Sequence, residues 1–302
     1  MTRRARTPTR AKPWKTADDV IVVNYASTWS ELKAASAAVG LRGALRHTII
    51  STLALGSKPQ SGDSLRLVYL HNVFNDQVAE FEAKLKYLAS IGTFLSADEV
   101  VAVVRRERPL SGRCFHLSFD DGFRNIITNA LPVLRENGVP ATFFVPTSVI
   151  SADFARAASY SLNITHYPRV IELATWDDLA MAQEQGLQIA SHTRTHARFT
   201  EISRSSAALE DEIFGSKEDL ERHLGRPCSY ISWPYGSARD ADVSSLEYVK
   251  RAGYEACFGA YRGHVAPGHT NPFSIPRHHF EAHWPLAHFK YFVHGARESQ
   301  PA

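Results

Sequence analysis

Short apolar runs alternate with amphipathic stretches along most of the chain. "LRLVYLH" (65–71), "CFHLSF" (114–119), "ATFFV" (141–145), "LQIAS" (187–191), "SYISW" (229–233) and "YEACF" (254–258) are bounded by turn residues, which predicts buried strands. Between them lie helical patterns. "DQVAEFEAKLKYLASIG" puts Val78, Phe81, Leu85 and Leu88 on one stripe, with Asp76 as its cap and Gly92 at its stop. "NIITNALPVLRENG" predicts a helix ending at Gly138, and "TWDDLAMAQEQG" one capped by Thr175. "ALEDEIFGSKEDLERHLG" places Leu209, Ile213, Leu220 and Leu224 on a shared face, and "VSSLEYVKRAG" adds a further helix.

Apolar strands alternating with helices imply an α/β fold with a largely parallel, helix-covered sheet. About seven strand signals suit a closed or nearly closed (β/α) barrel, with an open doubly wound sheet as the alternative. Either way, reactive groups belong where strands end and strand-to-helix loops begin. Residues 1–17 read as a basic tail, 18–64 as an extension and linker containing a helix through "WSELKAASAAVG", and 65–295 as the main domain. Ser151–Ala174 is the least regular part of the body and reads as an insertion over one face.

Composition narrows the function classes. The 302 residues carry a net charge of +3, yet six of the basic residues precede the first acid, which leaves the remainder at about −3. The body therefore has no nucleic-acid signature, and the tail is a solvated segment or a weak contact to an anionic surface. Cys114, Cys228 and Cys257 are widely spaced and odd in number, which fits buried thiols in a reducing compartment. No secretory signal is legible, and "TIISTLALG" (48–56) is too short for a transmembrane helix, so the expected location is cytoplasmic.

Candidate chemistry gathers at strand ends. Asp120 and Asp121 follow "CFHLSF", and Gly122 permits a turn at which both can reach one site; taken alone, Asp121 could instead cap the next helix. His192 and His196 follow "LQIAS" with the spacing that sets two imidazoles on one side of a helical turn. Two histidines and one carboxylate with open positions form a catalytic zinc set, leaving the other carboxylate free as a general base. "WPYG" (233–236) makes a sharp turn whose N–H groups could face an oxyanion, and His71 closes the first strand as a candidate general acid.

Together these motifs resemble the polysaccharide deacetylase family, the nodulation protein B homology domain of carbohydrate esterase family 4. Its Thr-Phe-Asp-Asp-Gly motif appears as "SFDDG" with Ser118 for Thr, and its His-Ser/Thr-x-x-His motif as "HTRTH". The likeness runs from about Leu65 to about Arg277 and includes "PVLRENGVPATFFVP", "TWDDL" and "AGYEACFG". The resemblance implies a distorted (β/α) barrel, Asp120 as catalytic base, and Asp121, His192 and His196 as ligands of a divalent metal, usually Zn2+. It also implies that the Tyr235 N–H helps to stabilise an oxyanion.

Two departures stand out. Many members carry an arginine shortly before Pro-Tyr-Gly, where this chain has Ser232, and Arg277 in "SIPRHH" is the substitute considered for tuning the base. The Leu-x-His motif that many members place near the C-terminus is matched upstream, by His71. That order is similar to the permuted branch that includes poly-N-acetylglucosamine deacetylases, and it makes His71 the preferred acid over a C-terminal histidine. Among those, "HHFEAHWPLAH" (278–288) reads as a surface or substrate-lip segment with Phe280 and Trp284 available to stack on sugar. The implied function is metal-dependent deacetylation of N-acetylated hexosamine units in a chitooligosaccharide- or poly-N-acetylglucosamine-like carbohydrate. An O-acetyl sugar esterase and a catalytically silent carbohydrate binder are the alternatives.

Overall fold

The computed structural model describes residues 24–35, 50, 52–54, 62–237 and 239–295. The basic tail and most of the apolar stretch 48–56 lie outside them. Every predicted strand is present: β1 (Ser64–Leu70), β3 (Arg113–Phe119), β4 (Ala141–Val145), β5 (Gln188–Ser191), β6 (Tyr230–Ser232) and β7 (Ala256–Phe258). Two short strands join them, β2 (Thr93–Phe94) and β8 (His278–His279). The sheet runs β7-β6-β5-β4-β3-β1-β8, with β2 beside β3, and every ladder is parallel.

The segment 275–279 closes the curve. Its β8 residues pair with Val68 and Tyr69 of β1, while Ile275 bridges Phe258 of β7 through reciprocal bonds, Gly259 N–H to the Ile275 carbonyl and Ile275 N–H to the Cys257 carbonyl. The result is the distorted barrel implied by the resemblance.

Strand alternation then divides the core. Leu65, Leu67, Cys114, Phe144, Ala190, Tyr230, Ala256, Phe258 and Ile275 fill the interior, and Val68, Leu70, Phe115, Leu117, Phe119, Phe143 and Ile231 face the helices. Helix Ala97–Val104, which has its own Ser96–Glu99 capping box, packs its valines into the interior cluster. Its Asp98 accepts hydrogen bonds from Tyr230 and Gln188, the first residues of β6 and β5, so it lies at the strands' amino ends. The carboxyl ends are left for the site.

Predicted helices form with Thr175 and Asp242 in capping boxes and Gly225 left-handed at the end of Ser206–Leu224. Two expectations change. The stripe helix is Val78–Ile91, and Asp76 does not cap it; its carboxylate instead accepts Trp29 N–H (2.7 Å) and Ser30 N–H (3.0 Å) at the start of helix Trp29–Ala35. Gly92 ends the helix as expected, and a Cβ there would lie 2.4 Å from the Arg113 carbonyl oxygen. The histidine-rich run is only partly a lip: His278 and His279 form β8, Phe280 is buried against Phe289 with ring centroids 4.8 Å apart, out of reach of a sugar, and Glu281 lines the cavity at the strands' carboxyl ends. Strand pairing and an apolar pocket override the polar look of that stretch.

Closure through Ile275 gives a stability prediction. Ile275→Ala removes a fully buried side chain from the barrel interior and should lower unfolding free energy by about 2–5 kcal/mol. Urea denaturation should show a lower midpoint with an unchanged m-value.

Candidate active site

The carboxyl ends of β1, β3, β5 and β6 open into one cavity of about 360 Å³. Its lining includes His71, Asp120, Asp121, His192, His196 and Tyr235, so the structure brings together the expected acid, base, ligand and oxyanion residues, while Phe280 and Trp284, expected to stack on sugar, are not part of it. The insertion forms one wall through Ile164, Thr165, His166 and Tyr167. Tyr167 and Glu281, neither of which the sequence marked, complete it. Among the described residues, no helix is long and apolar enough to cross a membrane.

The two adjacent carboxylates have different partners. Asp120 continues the inward-facing register of β3, and Arg277 clamps it with two parallel bonds of 2.8 Å each. The remaining Arg277 donors reach the Gly259 carbonyl (2.7 Å), Ser118 Oγ (3.0 Å) and Ser232 Oγ (2.6 Å), so all five N–H groups are used. The guanidinium also lies 4.4 Å from the Tyr69 ring centroid and 5.0 Å from that of Phe144. Ser118, which replaces a threonine of the family motif, and Ser232, where many members have an arginine, are thus linked, since both serve as acceptors for an arginine arriving from the closing segment.

Burial alone would raise the Asp120 pKa. The Arg277 charge and hydrogen bonds, helped by His192 and His71, hold it below the ordinary carboxylate range.

Asp121 turns the other way because its φ is 75°, a left-handed conformation unusual for a residue with a Cβ. It caps no helix; Asn125 stands at that position. Its Oδ1 lies 3.5 Å from His192 Nε2 and 3.3 Å from His196 Nε2. The histidine pair is carried by a loop with left-handed Thr193 and His196, where the spacing suggested a helical turn, and the rings still converge at 4.9 Å between centroids.

Glu212 steadies this loop from helix Ser206–Leu224. It accepts the N–H groups of Arg194 (3.0 Å) and Thr195 (2.9 Å) and the Thr195 hydroxyl. Nothing in an amphipathic helix pattern singles out that acid.

The donor set fits a divalent cation. Asp121, His192 and His196 are all buried, and their ligand atoms lie within 4.8 Å of one another. His192 Nδ1 donates to the Ser232 carbonyl at 2.8 Å, so a neutral His192 aims its Nε2 lone pair at the Asp121 carboxylate. Only a proton or a cation between them makes that contact favourable. Consistent with this, His192 has a raised pKa: burial disfavours its charge, but the Asp120 and Asp121 charges prevail. For His196 burial prevails and the pKa is lowered. Asp121 is held well below its ordinary value, burial being outweighed by His71 and by the contacts to the two histidines.

Tyr235 is left-handed too (φ 63°), and among the described residues its N–H has no acceptor. Its ring packs on His196 with centroids 5.1 Å apart, under the Arg198 guanidinium at 3.8 Å. Gly236 cannot be replaced easily, because a Cβ would fall 2.0 Å from that of Ala260.

Comparison with known proteins places this geometry. The sequence profile of the polysaccharide deacetylase family matches residues 107–257. The chain is 24% identical over 196 residues to YxkH of Bacillus subtilis, covering 65% of this chain and 59% of that protein. It is 23% identical over 207 residues to a poly-beta-1,6-N-acetyl-D-glucosamine N-deacetylase of Staphylococcus aureus, covering 66% and 65% respectively. It therefore spans about three-fifths of the length of these curated relatives. The solved structure of IcaB from Ammonifex degensii superposes with a TM-score of 0.62 at 19% identity, covering 79% of this chain and 100% of that one, a likeness of fold. With half of its length inside the family profile and the paired-aspartate and paired-histidine motifs on one cavity, the chain belongs to the polysaccharide deacetylase family.

Proposed function

We propose that the protein is a hydrolase that removes acetyl groups from N-acetylated hexosamine units of an oligo- or polysaccharide, with a divalent cation as cofactor. The observation that carries this reading is the division of labour between adjacent carboxylates: Asp121 faces two imidazoles, and Asp120 is held off them by Arg277. A pure binding site has no use for the second, ionised and separately oriented carboxylate. The amide as scissile bond and the hexosamine as substrate are supported by the likeness to the Staphylococcus aureus poly-beta-1,6-N-acetyl-D-glucosamine N-deacetylase. Tyr167 and the exposed Tyr235 on the cavity wall offer ring surface on which a sugar can pack.

A cation on Asp121, His192 and His196, most simply Zn2+, would supply Lewis-acid polarisation of the acetyl carbonyl and of water. The chain's own residues supply the rest. Asp120 takes a proton from the attacking water as the new carbon–oxygen bond forms. The Tyr235 N–H donates to the oxygen that gains charge. When the carbon–nitrogen bond breaks, His71 gives its proton to the departing nitrogen, leaving acetate and a free amine. Arg277 keeps Asp120 ionised and fixes the plane of its carboxylate.

Asp120→Asn should retain bound metal and lose about 10²–10⁴-fold in kcat. Asp121→Asn and His196→Ala should lose metal and activity together. Metal content and acetate release from N-acetylglucosamine oligomers, measured on folded protein, check both; full activity in Asp120→Asn would sink the assignment.

A second prediction concerns pH. Removing the guanidinium in Arg277→Met leaves burial to act on Asp120 with less opposition, so the Asp120 pKa rises and the base form is lost at higher pH. The acid limb of kcat/KM should move upward. An unmoved limb would show that Arg277 does not set it.

A further inference from the structure

A second group of cation-binding side chains stands on the rim of the same cavity. His71 at the end of β1, His279 of β8 and Glu281 just beyond it offer ligand atoms within 4.8 Å of one another. The topology makes this possible, because the parallel pairing of β8 with β1 brings the ends of both strands side by side. The His71 and His279 rings are 5.1 Å apart between centroids.

Two features distinguish the group from an ordinary ion pair. His279 Nε2 lies 2.9 Å from Glu281 Oε1, yet it is buried and, among the described residues, lacks hydrogen-bond geometry with any partner. Finally, the segment is fixed in place, since the buried Lys84 ammonium donates to the Ala282 carbonyl at 2.6 Å and Trp29 stacks on His283 at 4.1 Å. Two imidazoles and one carboxylate, pre-positioned side by side, match the N/O preferences of Zn2+ better than those of the oxygen-seeking Mg2+ or Ca2+.

We propose that His71, His279 and Glu281 form a second, weaker zinc site whose occupation silences the enzyme. It is weaker than the site on Asp121 for two reasons. Its ligands are only half-buried, so they keep more of their hydration, whereas Asp121, His192 and His196 are all buried. A cation there also feels the charge of the first, while the Asp120 charge is already neutralised by Arg277. Silencing follows from the identity of one ligand. A His71 nitrogen that gives its lone pair to zinc can no longer carry the proton needed by the leaving amine. This consequence rests on the deacetylase reading above; the site itself does not.

Zinc binding to the full chain, followed by equilibrium dialysis with atomic absorption, tests the site without any turnover. Wild type should bind two equivalents in two classes of affinity. His279→Ala and Glu281→Gln should each lose the weaker equivalent alone, and His196→Ala the stronger. A single equivalent in wild type, or two retained in both His279→Ala and Glu281→Gln, overturns the proposal.

Acetate release measured across the same zinc series tests the consequence. Activity should rise with the first equivalent and fall by about 10²-fold or more as the second site fills, while His279→Ala keeps its activity in excess zinc. Inhibition that persists in His279→Ala overturns the link to His71. Absence of acetate release at one equivalent would count against the deacetylase reading and leave the zinc count to decide the site.

Discussion

The bidentate contact between Arg277 and Asp120 is the constraint on which the rest of the site depends. A fully buried guanidinium is tolerable only when its charge is matched and its donors are satisfied, and breaking such a pair by removing one partner costs on the order of 3–5 kcal/mol. Here every donor is satisfied, and the acceptors come from β3, from β6 and from the residue following β7. One side chain thereby ties the segment that closes the barrel to the strands that carry the chemistry. The same contact separates the two carboxylates. Held by Arg277, Asp120 cannot swing toward the histidines, and Asp121 is left to face them.

Backbone strain is concentrated around this arrangement. Asp121, Thr193, His196 and Tyr235 are all left-handed, a conformation that residues with a Cβ adopt reluctantly. Local bonds hold them there. His192 N–H donates to the Val145 carbonyl (2.9 Å), Thr193 N–H to Ser191 Oγ (3.0 Å) and His196 N–H to Thr193 Oγ1 (3.1 Å). With Glu212 occupied by the following N–H groups, the loop has little freedom to relax toward a helical turn. Its geometry delivers both imidazole Nε2 atoms to one carboxylate oxygen, which a flexible loop would do only part of the time.

How much of this was legible in the sequence follows from the range of each interaction. β1 and β3 to β7 show as apolar runs because both faces of each strand are buried. β8 is two histidines long and owes its conformation to its neighbours, so no local pattern betrays it. Asp120 with Asp121, and His192 with His196, were readable because each pair lies within one turn of chain. The Arg277–Asp120 pair spans 157 positions, and only closure of the barrel creates it. The absence of an arginine before "WPYG" hinted at a substitute without giving its place. Asp76 makes the same point in reverse: its type predicted a cap, but the helix it caps lies 47 positions upstream.

The barrel supplies the floor of the cavity, and added segments supply its walls. Strand ends carry Asp120, Asp121, His192 and His71, where rigid ladders fix them. The walls come from the insertion, through Tyr167, whose hydroxyl accepts a bond from Asn72 Nδ2 (2.8 Å), and from the stretch after β8, through Glu281. Residues 24–35 brace both walls at once. Ala26 N–H donates to the Val170 carbonyl (2.8 Å), the Tyr25 ring meets Phe154 at 5.2 Å, and Trp29 covers His283. The candidate reactive groups therefore sit on elements whose movement would cost core packing, whereas the cavity walls sit on segments joined to one another by a few bonds and ring contacts. Such a division lets the walls vary in shape without disturbing the relation between Asp120, Asp121 and the two histidines, and that relation is what the proposed deacetylation requires.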